Sequence, residues 1–452
     1  MIDEILTMIE NKEFVKLRST LSDLNAPDIA LLLEEVPEEY TLRLFRLLPK
    51  ELAADTFVEM DPDTQEHLIS AFSDNELRAV LDEIYLDDTV DIIEEMPANV
   101  VKRILRQSDP ETRTEINKIL NYPKDSAGSI MTIEYVDLKA NLTVEQAFSR
   151  IRATGVDKET IYTCYVTDAN RHLIGITTVK ELLLCDPNTK IGDMMETNVI
   201  FVDTFEDKEN VANLFDKYDF LAMPVVDKET RLVGIITFDD VIDVIQEEHT
   251  EDIEKMAAIL PSEKPYLKTS SWEIFKNRVP WLLLLMLSSA FTGKIIGAFE
   301  DTLSVCVALT AFIPMLMGTG GNSGGQASVT IIRGLSLNEI DLKDILKILR
   351  KELLVSLLCG TALALIHFIK TLLIDQSMII ASGQDPILVA AVVSITLILT
   401  VVCAKLVGCS LPILVKRLGF DPAVTASPFV TTIVDAISLI IYFKIATSML
   451  QF

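Results

Sequence analysis

Five long apolar segments fill the C-terminal part of the 452-residue chain, and they constrain its fold more than any other feature. Each one reaches or exceeds the roughly 20 residues that a helix needs to cross a bilayer. We place these spans at residues 279–299, 303–334, 345–373, 387–411 and 425–450. Because lipid offers no hydrogen bonds to exposed backbone, the sequence predicts a domain of five transmembrane helices.

The charged residues divide the chain into two parts. Residues 1–271 carry 27 Lys and Arg against 56 Asp and Glu, a net charge of −29, whereas residues 272–452 carry 13 against 11. The first part is therefore predicted to be an acidic soluble body, a composition that favours cations over nucleic acid as partners. The first seven residues lack both a basic stretch and an apolar core, so we expect no signal peptide.

The loops between the apolar segments predict an orientation in the membrane. The loop at residues 335–350 is rich in basic residues, whereas the 299–303 and 374–386 connections carry acidic residues and no basic ones. Basic loops stay on the cytosolic side. We therefore expect a multi-pass membrane protein with cytosolic N-terminal domains and the C-terminus outside. Lys294 and Lys405 are expected to extend toward the outer and inner membrane surfaces, respectively.

A single acidic residue, Asp435, lies inside the last apolar segment. A carboxylate at the centre of a membrane helix costs about 2.5–3.5 kcal/mol on insertion scales, so such residues usually line a polar path. Four further polar residues share its helical face at spacings of three or four residues. They are Ser427, Thr431, Ser438 and Tyr442. The pattern predicts the wall of a cation pore.

The second apolar segment contains Pro314 followed by the run Gly318-Thr-Gly-Gly-Asn-Ser-Gly-Gly-Gln326. This glycine density argues against a regular lipid-facing helix, because irregular backbone at membrane depth must be covered by protein or water. We predict a broken helix opposite Asp435, whose carbonyls and amides face the water of a permeating ion. Asn322 and Gln326 would belong to its polar face. A loop at the membrane edge is the alternative.

Residues 1–122 repeat a short acidic helix that ends at a turn. Prolines mark most of the turns, and weaker turns near Asp74 and Asp87 fill the longest gap. The prolines are Pro37, Pro49, Pro62, Pro97 and Pro110. Short stacked helices of this kind predict an α-solenoid, which we assign to residues 1–124. Asp87 and Asp91 share one face of a helix, either as a cation site or as a solvated surface.

Residues 125–246 contain two copies of a strand–turn–strand–helix unit. Two similar segments lie 59 residues apart and align position by position: Leu173-Ile-Gly-Ile-Thr-Thr-Val179 and Leu232-Val-Gly-Ile-Ile-Thr-Phe238. The repeat closely resembles a tandem pair of CBS domains, which form α/β regulatory modules that are often dimeric and often sense nucleotides. By this resemblance, Thr237 and Asp240 lie where many such pairs hold a ribose, so ATP is a candidate ligand. The first copy carries Glu181 in place of that aspartate.

An acidic segment joins the CBS pair to the first apolar segment. We assign residues 247–271 to a connecting helix with its linker, and residues 272–452 to the transmembrane pore domain. Acidic residues follow helical spacing from Asp240 to Glu254. Like charges three or four residues apart repel one another, which a solvated helix tolerates. We expect this helix to transmit movement from the CBS pair to the pore.

The whole arrangement resembles the MgtE family of magnesium channels, and the resemblance covers the entire chain. The most specific motifs are residues 314–326 and the segment from Asp421-Pro to Asp435-Ala-Ile-Ser-Leu-Ile-Ile-Tyr442. The resemblance implies a homodimer in a prokaryotic plasma membrane, with a pore at the dimer axis. In that pore, the position of Asp435 holds a hydrated Mg²⁺, and Thr431 lies beside the ion.

The resemblance also implies that further Mg²⁺ ions bind cytosolic carboxylates and that the connecting helices act as a plug. By similarity these carboxylates are Asp87, Asp91, Asp207, Glu209, Asp219, Asp240, Asp243, Glu248, Glu251, Asp252 and, facing the plug, Asp421. Bound Mg²⁺ would cancel the repulsion of the acidic body, so high cytosolic Mg²⁺ would close the pore.

These features predict a Mg²⁺-selective uptake channel rather than an enzyme. The Cys and His residues show no paired metal-binding spacing, so any metal would take oxygen ligands, which suit Mg²⁺. A transporter of another divalent cation, such as Mn²⁺ or Co²⁺, remains an alternative. A CBS-regulated anion or osmolyte transporter fits a carboxylate-centred stripe badly. A membrane enzyme would need a nucleophile–base pair or a metal triad, and the spans offer neither pattern.

Overall fold

The computed structural model describes residues 2–262, 266–425 and 427–450. Six side chains in these ranges lie outside the description: those of Asp157, Asp301, Thr302, Val305, Thr425 and Ser427. The chain forms two compact units, Met1–Ile245 and Gln246–Phe452.

Ten short helices build the N-terminal half of the first unit. They are α1 (Ile2–Glu10), α2 (Phe14–Ser22), α3 (Ala26–Glu35), α4 (Glu38–Phe45), α5 (Lys50–Val58), α6 (Pro62–Ala71), α7 (Asp74–Leu81), α8 (Leu86–Glu95), α9 (Ala98–Gln107) and α10 (Pro110–Ile119). Alternate helices pack in a row, α3 on α5, α5 on α7 and α7 on α9. This stacking confirms the predicted α-solenoid.

Each predicted turn in the solenoid starts a helix. The five prolines are N-cap or first-turn residues: Pro37, Pro49, Pro62, Pro97 and Pro110. Proline is tolerated there because the first N–H groups of a helix have no intrahelical acceptor. In the gap between them, the hydroxyl of Ser73 accepts a hydrogen bond from the Glu76 N–H and caps α7. The prolines therefore set the length of the repeated helices.

The remainder of the first unit holds two three-stranded sheets of the same topology. The first contains β1 (Asp137–Lys139), β2 (Thr163–Thr167) and β3 (Leu173–Thr178), and the second β4 (Val202–Asp203), β5 (Ala222–Val226) and β6 (Leu232–Thr237). The helices of this region are α11 (Val144–Thr154), α12 (Val179–Leu184), α13 (Ile191–Met194), α14 (Lys208–Tyr218) and α15 (Phe238–Met256). In both sheets the middle strand pairs parallel with the first strand and antiparallel with the third. The repeat confirms the predicted tandem CBS fold.

The second unit is built from long helices. After the end of α15 come α16 (Ser271–Ala298), α17 (Glu300–Val305), α18 (Ile313–Ser336), α19 (Ile345–Lys370), α20 (Gln376–Ala381), α21 (Pro386–Arg417) and α22 (Ser427–Leu450). Among the described residues, four stretches are long and apolar enough to cross a membrane: Ser271–Ala298, Leu342–Ala381, Pro386–Arg417 and Pro428–Leu450. The fifth long helix, α18, packs against α21 and α22.

The glycine-rich segment is a continuous helix, so the predicted break there is wrong. α18 runs uninterrupted through the glycines, and the irregular backbone precedes it in the 3₁₀ turn Val307–Phe312. A glycine inside a helix costs about 1 kcal/mol relative to alanine, but small residues let membrane helices approach closely. Most of these glycines are buried against neighbouring helices. Their carbonyls therefore belong to a continuous α-helix.

The crossing of α18 and α21 depends on Gly324 and Gly408. A methyl group placed on Gly408 would overlap the carbonyl oxygen of Gly324. We therefore expect Gly408→Ala to lower the stability of the detergent-solubilised protein by about 1–3 kcal/mol, the usual cost of overpacking. Thermal unfolding would measure the loss. The matched control is Gly297→Ala on α16, where an added methyl has open space and should leave the melting temperature unchanged or raised. Equal melting temperatures for the two variants would contradict a close contact between Gly408 and Gly324.

Lys405 does not extend to the membrane surface as predicted. Its side chain is buried, and its Nζ lies 3.6 Å from Oε2 of Glu352 on α19. A buried ammonium is costly unless an opposite charge accompanies it, and Glu352 supplies that charge from the facing helix. The pair therefore belongs to the packing of α19 on α21.

Candidate metal sites

Asp435 lies on α22, half-buried among the long helices of the second unit. Its Oδ1 atom is buried and has no hydrogen-bond partner among the described residues. One turn earlier, Thr431 lies against Gly321 of α18, where the missing side chain makes room for it. A buried carboxylate oxygen without a donor is costly, and a cation or its bound water would supply what the protein does not.

An exposed amide face runs along α18 beside this contact. Asn322 and Gln326 are both exposed, whereas Gly321 and Gly324 are buried against neighbouring helices. Asn322 directly follows Gly321, the residue that Thr431 contacts. The two amides therefore lie close to the α18–α22 contact and are accessible to water or to another chain. This exposure is compatible with the polar face predicted for them.

Two residues of the predicted polar stripe are inside the helix packing instead. Ser438 is 1% exposed and its hydroxyl donates to the Val434 carbonyl at 2.6 Å. Tyr442 is also fully buried, and its hydroxyl donates to the Leu309 carbonyl at 3.0 Å. The prediction that Ser438 lines a pore is therefore wrong, because its polar atom is sealed within one chain. The side chain of Ser427 lies outside the described part of the chain.

A group of charged residues surrounds Lys255 near the end of α15. The Lys255 Nζ pairs with Glu251 and lies 2.7 Å from Oδ2 of Asp421. Asp252 accepts a hydrogen bond from the Ser336 hydroxyl of α18 at 3.3 Å. Burial lowers the pKa of Lys255, but the hydrogen bonds to Asp421 and Glu251 outweigh it, and the net pKa is raised. Two predicted regulatory carboxylates, Glu251 and Asp421, thus pair with one ammonium, and a third, Asp252, contacts α18 nearby.

In the first unit, carboxylates from three distant segments converge. Asp87 in the first turn of α8, Glu134 before β1 and Glu159 before β2 offer oxygens that all lie within 4.8 Å of one another. We call these three residues, with the adjacent Asp88 and Asp240, the carboxylate cluster. Asp87 Oδ1 and Glu159 Oε2 are buried and lack hydrogen-bond partners within the described ranges. Several oxygen ligands at this spacing suit a hard cation such as Mg²⁺.

Burial and mutual repulsion raise the pKa values in the carboxylate cluster. Burial, followed by the charge of Asp240, raises the pKa of Asp87 well above its usual value. The same two causes raise the pKa of Asp88 to about 7. Burial and then Asp88 raise the pKa of Glu159 to about 8, and burial raises that of Asp240 to about 6. Near neutral pH the cluster therefore favours bound protons or a bound cation.

The other predicted regulatory residues are dispersed. Asp91 is exposed one turn beyond the buried Asp87. Asp207 caps the start of α14 and accepts from the Glu209 N–H at 2.9 Å, whereas Asp219 caps its end. At 1.5 Å per residue the two ends lie about 18 Å apart, so Asp219 and Asp207 cannot share an ion within one chain.

The remaining candidates lie on or next to α15. Asp243 and Glu248 are both on this helix and both have interaction partners. Thr237, at the end of β6, donates a hydrogen bond from its hydroxyl to Oδ2 of Asp240. The proposed ribose aspartate is therefore also a member of the carboxylate cluster.

Sequence reasoning missed Asp88, Glu134, Glu159 and Lys255. Glu134 and Glu159 come from segments with no shared local pattern, and only the chain path brings them to Asp87. Lys255 did carry a signal, since it is a basic residue one turn after Glu251 on an otherwise acidic helix.

Membrane-length helices that carry a half-buried carboxylate, in a chain whose N-terminal unit holds a candidate cation site, are typical of a membrane cation transporter. Family sequence profiles agree with this class. The profile described as "Divalent cation transporter" matches residues 313–445. The profile of the MgtE intracellular N domain matches residues 24–125, and that of the CBS domain matches residues 191–247.

Curated relatives and solved structures agree. The chain is 37% identical to the magnesium transporter MgtE of Thermus thermophilus, over 96% of this chain and 95% of the relative. It is 32% identical to the magnesium transporter MgtE of Bacillus subtilis, over 100% of this chain and 98% of the relative. The crystal structure of the cytosolic domain of the Mg²⁺ channel MgtE with ATP is 35% identical, with a TM-score of 0.52 over 54% of this chain and 100% of that one. The chain belongs to the MgtE family, which consists of magnesium transporters and not of enzymes.

Proposed function

We propose that this protein is a Mg²⁺-selective uptake channel that works as a homodimer and closes when cytosolic Mg²⁺ is high. Asp435 from each protomer holds a hydrated Mg²⁺ at the dimer axis, with Thr431 beside it. The observation that carries the proposal is the buried Oδ1 of Asp435, which has no hydrogen-bond partner in the described part of the chain and lies in a helix of membrane length. The relatives named as magnesium transporters support Mg²⁺ as the cargo.

The chemistry of Mg²⁺ suits one carboxylate per protomer. Mg²⁺ gives up its water reluctantly and is commonly held by one or two carboxylates with several waters in place. Two Asp435 side chains across an axis would balance the +2 charge. The exposed amides of Asn322 and Gln326 would then hydrogen-bond the water shell instead of the ion.

The proposed orientation places the N-terminal unit in the cytosol of a prokaryote and the C-terminus outside. An inside-negative potential then drives the ion inward at about 2.3 kcal/mol per charge per 100 mV, which suffices for passive uptake. Basic loops on the cytosolic side support this orientation.

The proposed gate is the end of α15. Met256 packs with Ile332 of α18 and with Ala423, which precedes α22. Asp252 bonds to Ser336 of α18 at the same end. A movement of α15 would therefore reach both helices that carry the proposed pore residues.

Regulatory Mg²⁺ would act through charge. Carboxylates such as those of the carboxylate cluster repel one another, and at an effective dielectric of about 20 two unit charges 4 Å apart interact by about 4 kcal/mol. Bound Mg²⁺ removes this cost and favours the compact, closed state by population shift. The dispersed residues Asp91, Asp207, Glu209 and Asp219 would complete sites with a second copy of the chain.

We further propose ATP as a ligand of the CBS pair at Thr237 and Asp240. The related cytosolic domain solved with ATP supports this assignment. Because Asp240 also belongs to the carboxylate cluster, ATP and regulatory Mg²⁺ would influence each other at this residue.

Ion flux into liposomes tests the proposed function. Purified protein should pass Mg²⁺ down its gradient, and Mg²⁺ on the side of the N-terminal unit should reduce the flux. Parallel assays with Mn²⁺, Co²⁺ and Ca²⁺ establish the selectivity. Absence of any divalent flux from folded protein would exclude the channel, and preference for Mn²⁺ or Co²⁺ would reassign the cargo.

Replacing Lys255 with Met should make closure more dependent on Mg²⁺. The change leaves Asp421 and Glu251 without their ammonium partner, and lost hydrogen bonds to charged groups cost about 1.5 kcal/mol or more. We expect the cytosolic Mg²⁺ concentration for half-closure to rise about tenfold in the liposome assay. Lys343→Met removes an exposed lysine of the same unit and serves as the control. Identical closure curves would show that Lys255 does not hold the gate.

A further inference from the structure

A basic cavity lies in the otherwise acidic first unit. Its volume is about 380 Å³, and it differs from the sites described above. Its wall includes Tyr135, Asp137, Arg150, Lys158, Thr167 and Arg171. Three cations and one carboxylate thus line the cavity, although residues 1–271 carry a net charge of −29. Salt confines charge effects to about 8 Å, so the local cations decide what binds there.

The carboxylate of Asp137 does not neutralise the cavity. It pairs with Arg150 and lies 3.5 Å from the Lys139 Nζ, so two cations share one negative charge. Arg150 also donates from Nε to the Asp137 main-chain oxygen at 2.7 Å, which fixes its guanidinium and leaves Nη1 for a ligand. The Lys139 Nζ donates to the Thr167 hydroxyl at 2.6 Å. That hydroxyl therefore keeps its own proton to donate.

The other two cations have no carboxylate partner among the residues that the structure describes. Arg171 donates from Nη2 to the Tyr135 hydroxyl at 3.3 Å and to the Leu232 carbonyl at 3.2 Å. Both of these acceptors are neutral, so the guanidinium is positioned without losing its charge. Lys158 makes no ion pair within the described ranges. The cavity wall thus holds three cations against one carboxylate, and such an excess of positive charge favours an anion.

We propose that this cavity binds a small phosphate-bearing anion. Guanidinium groups match phosphate oxygens in a bidentate manner, and lysine and hydroxyl donors complete the set. A cavity of this volume falls at the lower end of small-molecule sites, about 300–1,000 Å³. It therefore accepts free inorganic phosphate or the phosphate end of a nucleotide. The proposal does not depend on transport, because binding is measured without ion flux.

Calorimetric titration of the full-length protein in detergent, without Mg²⁺, tests this site. The probes are inorganic phosphate and AMP. We expect saturable phosphate binding to the unmodified protein, and at least a tenfold weaker affinity in the double variant Lys158→Gln with Arg171→Gln. Lys158→Arg, which keeps the charge, should bind as the unmodified protein does. The matched control is Arg152→Gln, an arginine of the same helix as Arg150 that lies over the Phe148 ring.

The two probes distinguish the sources of the phosphate group. AMP that binds at least tenfold more tightly than phosphate, and loses this affinity in the double variant, identifies a nucleotide. AMP that binds no more tightly identifies free phosphate. The proposal fails if the unmodified protein shows no saturable binding of either probe. It also fails if the folded double variant, checked by its melting temperature, retains full affinity for phosphate.

Discussion

Asp435→Asn is expected to reduce Mg²⁺ flux into liposomes at least about a hundredfold while the protein stays folded. The amide keeps the shape of the side chain but removes the charge, and a unit charge pair in such a setting is worth about 4 kcal/mol. A loss of about 2.7 kcal/mol already corresponds to a hundredfold. The buried Oδ1 of Asp435 has no hydrogen-bond partner among the described residues, so little protein structure depends on its charge.

Two further variants make this result specific. Glu300→Gln removes an exposed carboxylate from the same unit and should leave flux unchanged. Asp435→Glu keeps the charge on a longer side chain and should retain part of the flux. Unimpaired uptake by the Asn variant would remove Asp435 from the ion path. A lower melting temperature in that variant would point instead to a structural role.

The double variant Asp87→Asn with Glu159→Gln, in the carboxylate cluster, should change the stability of the protein differently without and with Mg²⁺. Without Mg²⁺ and at pH above about 8, where the carboxylates are ionised, it should be more stable than the unmodified protein, because the amides remove repulsion between buried carboxylates. With Mg²⁺ it should gain little, whereas the unmodified protein gains about 2.7 kcal/mol when Mg²⁺ is at a hundred times its dissociation constant. Thermal unfolding and limited proteolysis, each with and without Mg²⁺, measure both effects.

The matched control for this double variant is Glu94→Gln with Glu145→Gln. These two exposed carboxylates lie on α8 and α11, outside the carboxylate cluster. The control should keep the Mg²⁺-dependent protection. If the cluster variant keeps it as well, regulatory Mg²⁺ binds elsewhere.

The pH dependence of stability follows from the same cluster. The pKa values of Glu159, about 8, and Asp88, about 7, lie above their ordinary values of 4.5 and 3.8. The folded cluster therefore binds protons that the unfolded chain has already released, and stability without Mg²⁺ should fall as pH rises from about 4 to about 8. Mg²⁺ should restore more stability at pH 8 than at pH 6, because protons compete with it for the carboxylates.

The sequence predicted the features that depend on local pattern. Proline turns defined the helices of the solenoid, and two segments in step predicted the tandem CBS fold. Apolar segments of sufficient length predicted the membrane helices, and the position of Asp435 among them marked the candidate ion site. Each of these signals lies within one helix or one pair of strands. The spacing of apolar, polar and turn-forming residues along the chain is therefore enough to predict the element.

The wrong predictions concern how helices meet. The glycine-rich run by itself predicted a broken helix. Its contacts with α21 and α22 instead favour a continuous helix. Ser438 shares a helical face with Asp435 in sequence, but at its own position the neighbouring helices cover that face. Lys405 was expected at the surface, and Glu352 from another helix holds it inside. In each case a partner distant in sequence decides the outcome.

The sequence alone therefore determined most element types, their order and the charge asymmetry between residues 1–271 and 272–452. Tertiary structure decided which acids converge and which charges are already paired. Asp87, Glu134 and Glu159 meet only because the solenoid and the first CBS sheet fold against each other. Lys255 meets Asp421 across 166 residues. Electrostatic interaction depends on distance and burial in space, and neither quantity is encoded in spacing along the chain.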